Sequence, residues 1–405
     1  MKSELSFLIA ARECEIVELE QLAQSCELVS VVGHLIHALQ RERGLSNVFL
    51  GSRGLRLAPE RLAQVEDSRA RERALREHLD RLDTAARRGG HGARLFSRVA
   101  FVLHGLDELG TLRQRVGSCA TTPAQATAHY SRVIAGLLAV VFEAADAATD
   151  PQISHALVAL FNFMQGKEFS GQERACGSAV FAAGHADPAA VAHWRHLVEQ
   201  QARCLELFHD FADDAASQAW DGAQPDVPMT EIERLRRLGM VDSGPAPDAG
   251  LSEAWFDACS RRIDAMHRVE RALARSLRAL CERKVDQARA ELHDRRLLID
   301  RLQSPGGHLA SATGVPAPYG PQVERSILEL VQEQAQRLQA MSDELASARA
   351  ALHERKTVER AKGLLMATRR LSESDAHKLL RQTAMSQNRR MVDVAEAVLA
   401  MADLL

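Results

Sequence analysis

Residues 32–46 read VGHLIHALQRERGLS and combine an apolar stripe with a cluster of charged side chains. The apolar residues recur at the spacing of one helix face: Val32, Leu35, Ile36 and Leu39. At about 100° per residue, Arg43 falls on this apolar face, whereas Arg41 lies almost opposite. The stretch therefore predicts an amphipathic helix that carries one arginine, Arg43, into the protein interior.

The composition of the 405-residue chain is typical of a helical protein. Hydrophobic residues make up 46% and charged residues 26%, but aromatic residues only 4%. Strands recruit aromatic and β-branched residues, whereas the Ala, Leu, Arg and Glu that dominate here favour helices. The formal net charge of −3 excludes a chain that is basic throughout but allows a local basic patch. We therefore predict an all-α protein built from bundles of long helices.

Cysteine usage and apolar runs bear on the cellular compartment. The seven cysteines are widely spaced and form no C-x-x-C pair, which favours reduced thiols over a disulfide framework or a zinc ribbon. The N-terminal segment has no signal-peptide pattern. The longest apolar run, Val133–Phe142, has ten residues and is too short to cross a bilayer. We therefore expect a cytoplasmic protein without membrane contact.

A stretch rich in proline and glycine divides the chain into two modules. Residues 304–321 hold four Pro and four Gly, a composition that cannot continue a helix. Before this linker, residues 1–303 contain long amphipathic segments that predict helical bundles. After it, residues 322–405 form a second module, with a predicted coiled coil over 323–355 and a three-helix head over 356–405.

The coiled coil is predicted from a heptad pattern. Hydrophobic residues recur every seven positions at Val331, Leu338, Leu345 and Leu352. This spacing is typical of a coiled-coil seam. Two arrangements stay open: self-association as a homodimer or an antiparallel hairpin, and one long helix packed on the first module.

The head carries a concentrated positive charge. Residues 355–390 hold ten Lys and Arg against three acidic residues, a local net charge of +7. Such a patch suits a phosphate backbone, although a merely solvated surface is the alternative. From charge alone, DNA and RNA are equally open as partners. The contact candidates among its cations are Arg360, Lys362, Arg381, Arg389 and Arg390.

The head also resembles a known family. Residues 358–366 read VERAKGLLM and are followed by Leu371-Ser372-Glu373, Leu379-Leu380-Arg381 and Asn388-Arg389. This pattern resembles the ANTAR domain, a coiled coil with a three-helix head that binds RNA in transcription antitermination. Together with the charge pattern, it leads us to predict RNA-binding positions at Arg360, Ala361, Lys362, Gly363, Arg381, Ala384, Asn388 and Arg389. The cations among them are expected to contact phosphates or bases, and the small residues Ala361, Gly363 and Ala384 to let a helix approach an RNA loop closely. His377 departs from the family, which usually has an aromatic residue there.

Helical phase separates the basic residues at the start of the head. Arg360 and Lys362 are two positions apart and therefore diverge by about 200°, so we expect only one of them to face RNA. Arg360 is the freer of the two if the neighbouring apolar side chains fill the core. Met366 and Met385 are expected in that core.

Two motifs of the first module resemble a second family. Residues 39–46 read LQRERGLS, and a later motif comprises Lys167-Glu168 and Gly171-Gln172-Glu173-Arg174-Ala175. Both resemble motifs of the NIT domain, a nitrate- and nitrite-sensing module of two helical bundles. Ahead of an ANTAR-like tail, they imply a nitrate-responsive antitermination regulator of nitrate-assimilation genes. The implied effector is nitrate or nitrite and the implied partner is a structured leader mRNA, with no cofactor and no metal.

Residue chemistry selects candidates for the anion site. Nitrate is a flat anion that accepts hydrogen bonds in its plane, which suits the guanidinium fork of arginine. Phase arithmetic of the kind applied to Arg43 also brings Arg236 and Arg174 to the flanks of apolar helix faces. We predict that Arg43, Arg174 and Arg236 bind nitrate or nitrite. The alternative is that each arginine pairs with a buried carboxylate, for which the candidates are Glu42, Glu168 and Glu173.

Other classes of function fit the sequence less well. His34 and His37 stand three residues apart, but no further side chain follows at metal-ligand spacing. The chain has no H-E-x-x-H, Walker or G-x-S-x-G motif, so we expect no enzyme. A ligand-responsive DNA-binding regulator remains the alternative, with residues 386–390 as the turn of a helix-turn-helix. A protein that acts only through its coiled coil is a further alternative.

Overall fold

The computed structural model describes residues 4–81, 92–146, 148–183, 188–240 and 249–303, and then parts of 336–402. Within these ranges the chain forms α-helices and one short 3₁₀ helix, Gln224–Asp226, and no strand. The predicted all-α fold is confirmed. The predicted linker 304–321, most of the predicted coiled coil 323–355 and the side chain of Asn388 lie outside the described residues.

The helices are labelled here in chain order. Nine belong to the first module: α1 (Glu4–Gly51), α2 (Ala58–Asp80), α3 (Gly92–Gly117), α4 (Pro123–Asp146), α5 (Pro151–Ala183), α6 (Pro188–Phe211), α7 (Asp214–Ala223), α8 (Met229–Gly239) and α9 (Ala249–Gln303). Two more follow in the head, α10 (Glu373–Ser386) and α11 (Met391–Ala402). Three helices begin at a proline, whose missing N–H costs nothing in the first turn.

The longest helices, α1 and α9, run antiparallel. Their 48 and 55 residues span about 70 and 80 Å at about 1.5 Å per residue. As residue numbers rise along α1, those of the α9 partners fall: Arg12 pairs with Glu291, Cys26 contacts Cys281, and His37 stacks on His267. The first module is therefore organised around one long helix pair.

The two largest hydrophobic cores of the described residues form around this pair. In the larger core, α1 packs on α2, α4 and α9, and α3 packs on α4. In the smaller core, α5, α6, α8 and α9 bury three aromatic rings, those of Phe181, Trp194 and Trp255. The α5 helix is continuous through Gly166 and Gly171, so neither glycine breaks the segment that carries the second motif.

In the part of the chain that the structure describes, two helices are long and apolar enough to cross a bilayer on length and composition alone. They cover Ile9–Gly51 and Pro123–Asp146, and in each the most apolar window is 61% buried within the protein. This is the behaviour of core helices in a bundle, which bury their apolar stripes against other helices.

The head is a small module with its own core. Helical residues 353–358 and 360–366 pack with α10 and α11 around seven buried apolar residues: Ala361, Leu365, Ala376, Leu380, Ala384, Val394 and Ala395. The expectation that Met366 and Met385 lie in this core is wrong, because their side chains are 39% and 71% exposed. Each methionine directly follows a core residue, Leu365 or Ala384, and therefore points about 100° round the helix from it.

Candidate anion site and nucleic-acid interface

Arg43 of α1 is fully buried and is held by α5 and α4. Its Nη1 donates to Oε1 of Glu168 at 2.5 Å and to Oγ of Ser131 at 2.8 Å, and its Nη2 lies 3.2 Å from Oε2 of Glu168. The predicted inward position of Arg43 is confirmed, and Arg41 is exposed as expected. A buried ion pair of this kind offsets the cost of removing both charges from water.

Neutral donors complete the shell of Glu168. Gln40 and Gln172 each donate to one of its carboxylate oxygens at 2.9 Å. The buried Nε of Arg43, by contrast, has no hydrogen-bond acceptor among the residues that the structure describes. Buried polar groups normally have a hydrogen-bond partner, so this nitrogen can donate a hydrogen bond to a ligand at the centre of the cluster.

Arg174 of α5 lies beside Arg43 and has only neutral partners. Its Nη2 donates to the carbonyl oxygen of Gln40 and its Nη1 to Oγ of Ser260, both at 2.9 Å. Within the described part of the chain, no carboxylate oxygen lies within 4.0 Å of this guanidinium. Burial and then the charge of Arg43 lower the pKa of Arg174 to about 10. Two guanidinium groups with one carboxylate leave the cluster with an excess positive charge.

Glycines of both sequence motifs make room for these guanidinium groups. A Cβ atom on Gly44 would collide with Nη2 of Arg174, and one on Gly171 would collide with Nη2 of Arg43. Any other residue at either position would push the facing guanidinium out of place. The glycine of each motif therefore leaves space for the arginine of the other motif: Gly44 for Arg174, and Gly171 for Arg43.

Arg236 of α8 belongs to a second cluster. Its Nε and Nη2 bind the carboxylate of Glu173 at 2.7 and 2.8 Å, and its Nη1 binds Glu233 at 2.6 Å. Trp194 and Gln201 also donate to Glu173. Burial opposes ionisation of this carboxyl, but the hydrogen bonds and charge of Arg236 hold its pKa below the usual value.

The three candidate arginines are all buried but do not form one cluster. Glu168 and Glu173 are five residues apart on α5, about 7.5 Å along the axis and about 140° round it. Arg43 binds the first carboxylate, with Arg174 beside it, and Arg236 binds the second. The alternative interpretation, in which each arginine pairs with a buried carboxylate, is thus correct for Arg43 and Arg236. Arg174 has no carboxylate partner among the described residues.

Several residues of these clusters escaped sequence analysis. Arg113 of α3 binds Glu42 through two hydrogen bonds of 2.8 and 2.9 Å, and Tyr130 donates to the same carboxylate. Arg262 of α9 is buried beside Glu173. The phase argument that found Arg43 would have found both, because Arg113 lies between Leu109 and Val116 and Arg262 between Cys259 and Met266.

The RNA-binding candidates of the head divide by burial. Arg360, Gly363, Arg381 and Arg389 are exposed, whereas Lys362 is buried and Ala361 and Ala384 lie in the head core. Open space surrounds Gly363. The expected contrast between Arg360 and Lys362 therefore holds for burial.

One face of the head contacts the first module. The His377 ring packs against that of His196 at a tilt of 54°, with the centroids 4.9 Å apart, and its Nε2 lies 3.5 Å from Nε2 of Gln200. Arg381 pairs with Glu199 at 3.3 Å. Further along, Arg355 binds Asn162 and Lys356 pairs with Asp146 at 3.4 Å. These contacts occupy three cations of the basic patch.

A helical module with buried arginines, in contact with an exposed basic head, is the architecture of a ligand-responsive regulator. Residues 34–278 match the family model for nitrate and nitrite sensing, NIT, and residues 346–399 match the ANTAR domain. The nitrate regulatory protein of Klebsiella oxytoca is 33% identical over 391 residues, which cover 96% of this chain and 93% of that protein. The solved structure of the NasR transcription antiterminator is 32% identical, with a TM-score of 0.62 and 98% of both chains covered.

These matches extend over almost the whole chain. The protein belongs to the NIT family of nitrate- and nitrite-sensing regulators, in the branch that carries an ANTAR domain for transcription antitermination.

The Arg43–Glu168 pair yields a prediction about stability. We expect Arg43→Ala to lower the free energy of unfolding by about 3–5 kcal/mol, because it leaves the carboxylate of Glu168 buried without its cation. Arg41→Ala is the matched control on the same helix and should change it by less than about 0.5 kcal/mol. Urea denaturation followed by circular dichroism measures both, and equal effects of the two substitutions would contradict the assignment.

Proposed function

We propose that this chain binds nitrate or nitrite at the Arg43–Arg174 pair and, in response, binds structured leader mRNA to cause antitermination of nitrate-assimilation genes. The observation that carries the proposal is a buried pair of neighbouring arginines in which, among the described residues, only Arg43 has a carboxylate partner, Glu168. The module that holds this pair contacts a basic head. The protein acts as a regulator and not as an enzyme, and needs no cofactor.

The chemistry of the pair suits a planar oxyanion. Nitrate accepts hydrogen bonds in its own plane, and a guanidinium fork offers donors in one plane. The Nε of Arg43, which has no acceptor among the described residues, can donate a hydrogen bond to such an anion. The positive charge of Arg174 is available to it as well, because the hydrogen-bond partners of Arg174 are neutral. An added negative charge would offset the repulsion between the two guanidinium groups and draw α1 and α5 together.

Arg236 is the second candidate position in the sensor. Its fork is filled by Glu173, so an anion could bind there only in competition with that carboxylate. Because Glu168 and Glu173 lie on the same helix, a shift of α5 at the first cluster would be felt at the second. We therefore assign Arg236 a role in transmitting the signal and, where an anion displaces Glu173, a direct contact with it.

The domain division follows the sequence. We propose a sensor over residues 1–303, a linker over 304–321 and an RNA-binding module over 322–405, with a coiled coil at 323–355 that forms a homodimer. The matched ranges 34–278 and 346–399 are compatible with these limits. A cytoplasmic location suits a protein that acts on nascent mRNA.

Coupling runs through the contact between sensor and head. Arg381, an RNA-binding candidate, is paired with Glu199 of α6, and α6 packs along α5, the helix that carries Glu168 and Arg174. Nitrate can change RNA binding only through different affinities for the docked and released arrangements. A movement of α5 would alter the surface of α6 that holds Arg381 and so free it for RNA.

The anion site predicts a specific effect on nitrate binding. Arg174→Lys keeps a positive charge but loses the planar fork, so we expect nitrate affinity to fall by about tenfold or more, as for the loss of a charge-assisted hydrogen bond. Arg43→Lys should act similarly, while Arg236→Lys tests the second cluster. Isothermal titration calorimetry with nitrate measures the change. Arg41→Lys is the control, and unchanged binding in both Arg43→Lys and Arg174→Lys would refute the site.

The head predicts unequal effects of two neighbouring cations. Arg360→Ala removes an exposed charge and should weaken leader-RNA binding without unfolding, with a salt slope lower by about one unit if the contact is to phosphate. Lys362→Ala affects a buried side chain and should act mainly on the stability of the head. Filter binding at several salt concentrations separates the two, and duplex DNA of the same sequence serves as the comparison. Tighter binding of the duplex would favour a DNA-binding regulator.

The docked head predicts a dependence on pH. Burial, and then the nearby His196, Lys362, Arg203 and Arg381, lower the pKa of His377 to about 4. A released His377 titrates nearer 6.5, so the released form binds more protons between these values and docking weakens as the pH falls through about 6.5. We expect nitrate-free RNA binding to rise between about pH 7.5 and 5.5. His377→Phe should flatten this dependence, and an identical pH profile in the variant would exclude His377 as its cause.

A further inference from the structure

Two cysteines of the sensor meet at the interface of α1 and α9. The Sγ atoms of Cys26 and Cys281 lie 3.3 Å apart, and both residues are buried, with 3% and 0% of their surface exposed. Among the residues that the structure describes, neither thiol forms a hydrogen bond with the arginine clusters or the head. We propose that Cys26 and Cys281 form a modification site, at which a peroxide-class oxidant makes a reversible disulfide that joins α1 to α9.

The helix arrangement favours this bond. Because α1 and α9 run antiparallel and pack side by side, the two side chains already point at each other across the interface. A disulfide has an S–S length of about 2.05 Å, so the sulfur atoms need to approach by only about 1.3 Å. Cys14 also lies on α1 but is exposed, and it gives an internal reference for oxidant reactivity.

The hydrogen bond between the thiols sets the order of reaction. The hydrogen bond between the two sulfur atoms lowers the pKa of Cys281 below the usual thiol value and, together with burial, raises that of Cys26. Cys281 is therefore the first to become a thiolate, which is the nucleophilic form.

The chemistry balances with hydrogen peroxide as the oxidant. The Cys281 thiolate attacks one peroxide oxygen, so an S–O bond forms, the O–O bond breaks and hydroxide leaves, and Cys281 becomes a sulfenic acid. The Cys26 thiol then attacks that sulfur, an S–S bond forms, and the S–O bond breaks with release of water. Two thiols are oxidised by two electrons and one peroxide is reduced. A dithiol reductant such as dithiothreitol returns both electrons.

The bond would act on the helix that leads out of the sensor. Cys281 lies on α9 between Arg262, beside the second arginine cluster, and Gln303, where the helix ends. A covalent link to α1 at this point would stop α9 from sliding along its partner. Given the proposed function, which this step assumes, the disulfide would hold the sensor in one arrangement and blunt its response to nitrate.

The modification itself is tested on the full chain. The protein is treated with hydrogen peroxide, denatured, blocked with N-ethylmaleimide and digested without reductant for mass spectrometry. We expect a cross-linked peptide pair containing Cys26 and Cys281, which dithiothreitol removes, and its absence in Cys26→Ser and Cys281→Ser. Cys14→Ser is the control and should keep it. Recovery of Cys26 and Cys281 as alkylated thiols, under conditions that oxidise Cys14, would overturn the proposal.

A second measurement tests the consequence. Leader-RNA binding with and without nitrate is compared for reduced and peroxide-treated protein. We expect oxidation to remove most of the nitrate effect, which for allosteric coupling is about 5- to 150-fold, and Cys26→Ser to keep that effect under peroxide. If the cross-linked protein kept its full nitrate effect on RNA binding, the proposal that the disulfide holds the sensor in one arrangement would be overturned. Absence of a nitrate effect in the reduced protein would instead refute the proposed function, while the peptide analysis still decides the disulfide.

Discussion

The burial of the Arg43 charge is the constraint on which the sensor depends. A guanidinium removed from water costs several kcal/mol unless a carboxylate and hydrogen bonds replace its hydration. Glu168 supplies the carboxylate from α5, and Ser131 adds a hydroxyl from α4. Arg43 therefore ties α1 to both helices at once, and Gly171 has to be small because the guanidinium lies against it.

The same rule repeats through the module with different helices. Glu42 joins α1 to α3 through Arg113, and Glu173 joins α5 to α8 through Arg236. Interiors built only from Leu and Val tolerate sliding, because apolar contacts are not directional. Ion pairs in the core give each helix one preferred position, and a change of charge at one pair shifts that preference. A sensor for a small anion needs this property more than it needs added stability.

From the sequence, helical phase predicts which side chains of a helix are buried, but not which residues they contact. Phase identifies which arginines point inward, and it did so for Arg43 and Arg236 because their apolar neighbours are unambiguous. It says nothing about which helix lies opposite, so the separation of Arg236 from the other two arginines, and the docking of Arg381 on Glu199, required the fold. Met366 and Met385 were assigned to the core by residue type, but each is the neighbour of a core residue, Leu365 or Ala384, and so lies on a more exposed side of its helix.

The antiparallel pairing of α1 and α9 also has a topological consequence. Because Arg12 meets Glu291, the first turns of α1 and the last turns of α9 lie at the same end of the sensor. Chain ends that lie close together allow a fold to be circularly permuted or inserted into another protein without disturbing its cores. The start of α1 and the end of α9 thus form one pair of neighbouring attachment points. A relative movement of these two helices would be passed to whatever domain is joined there.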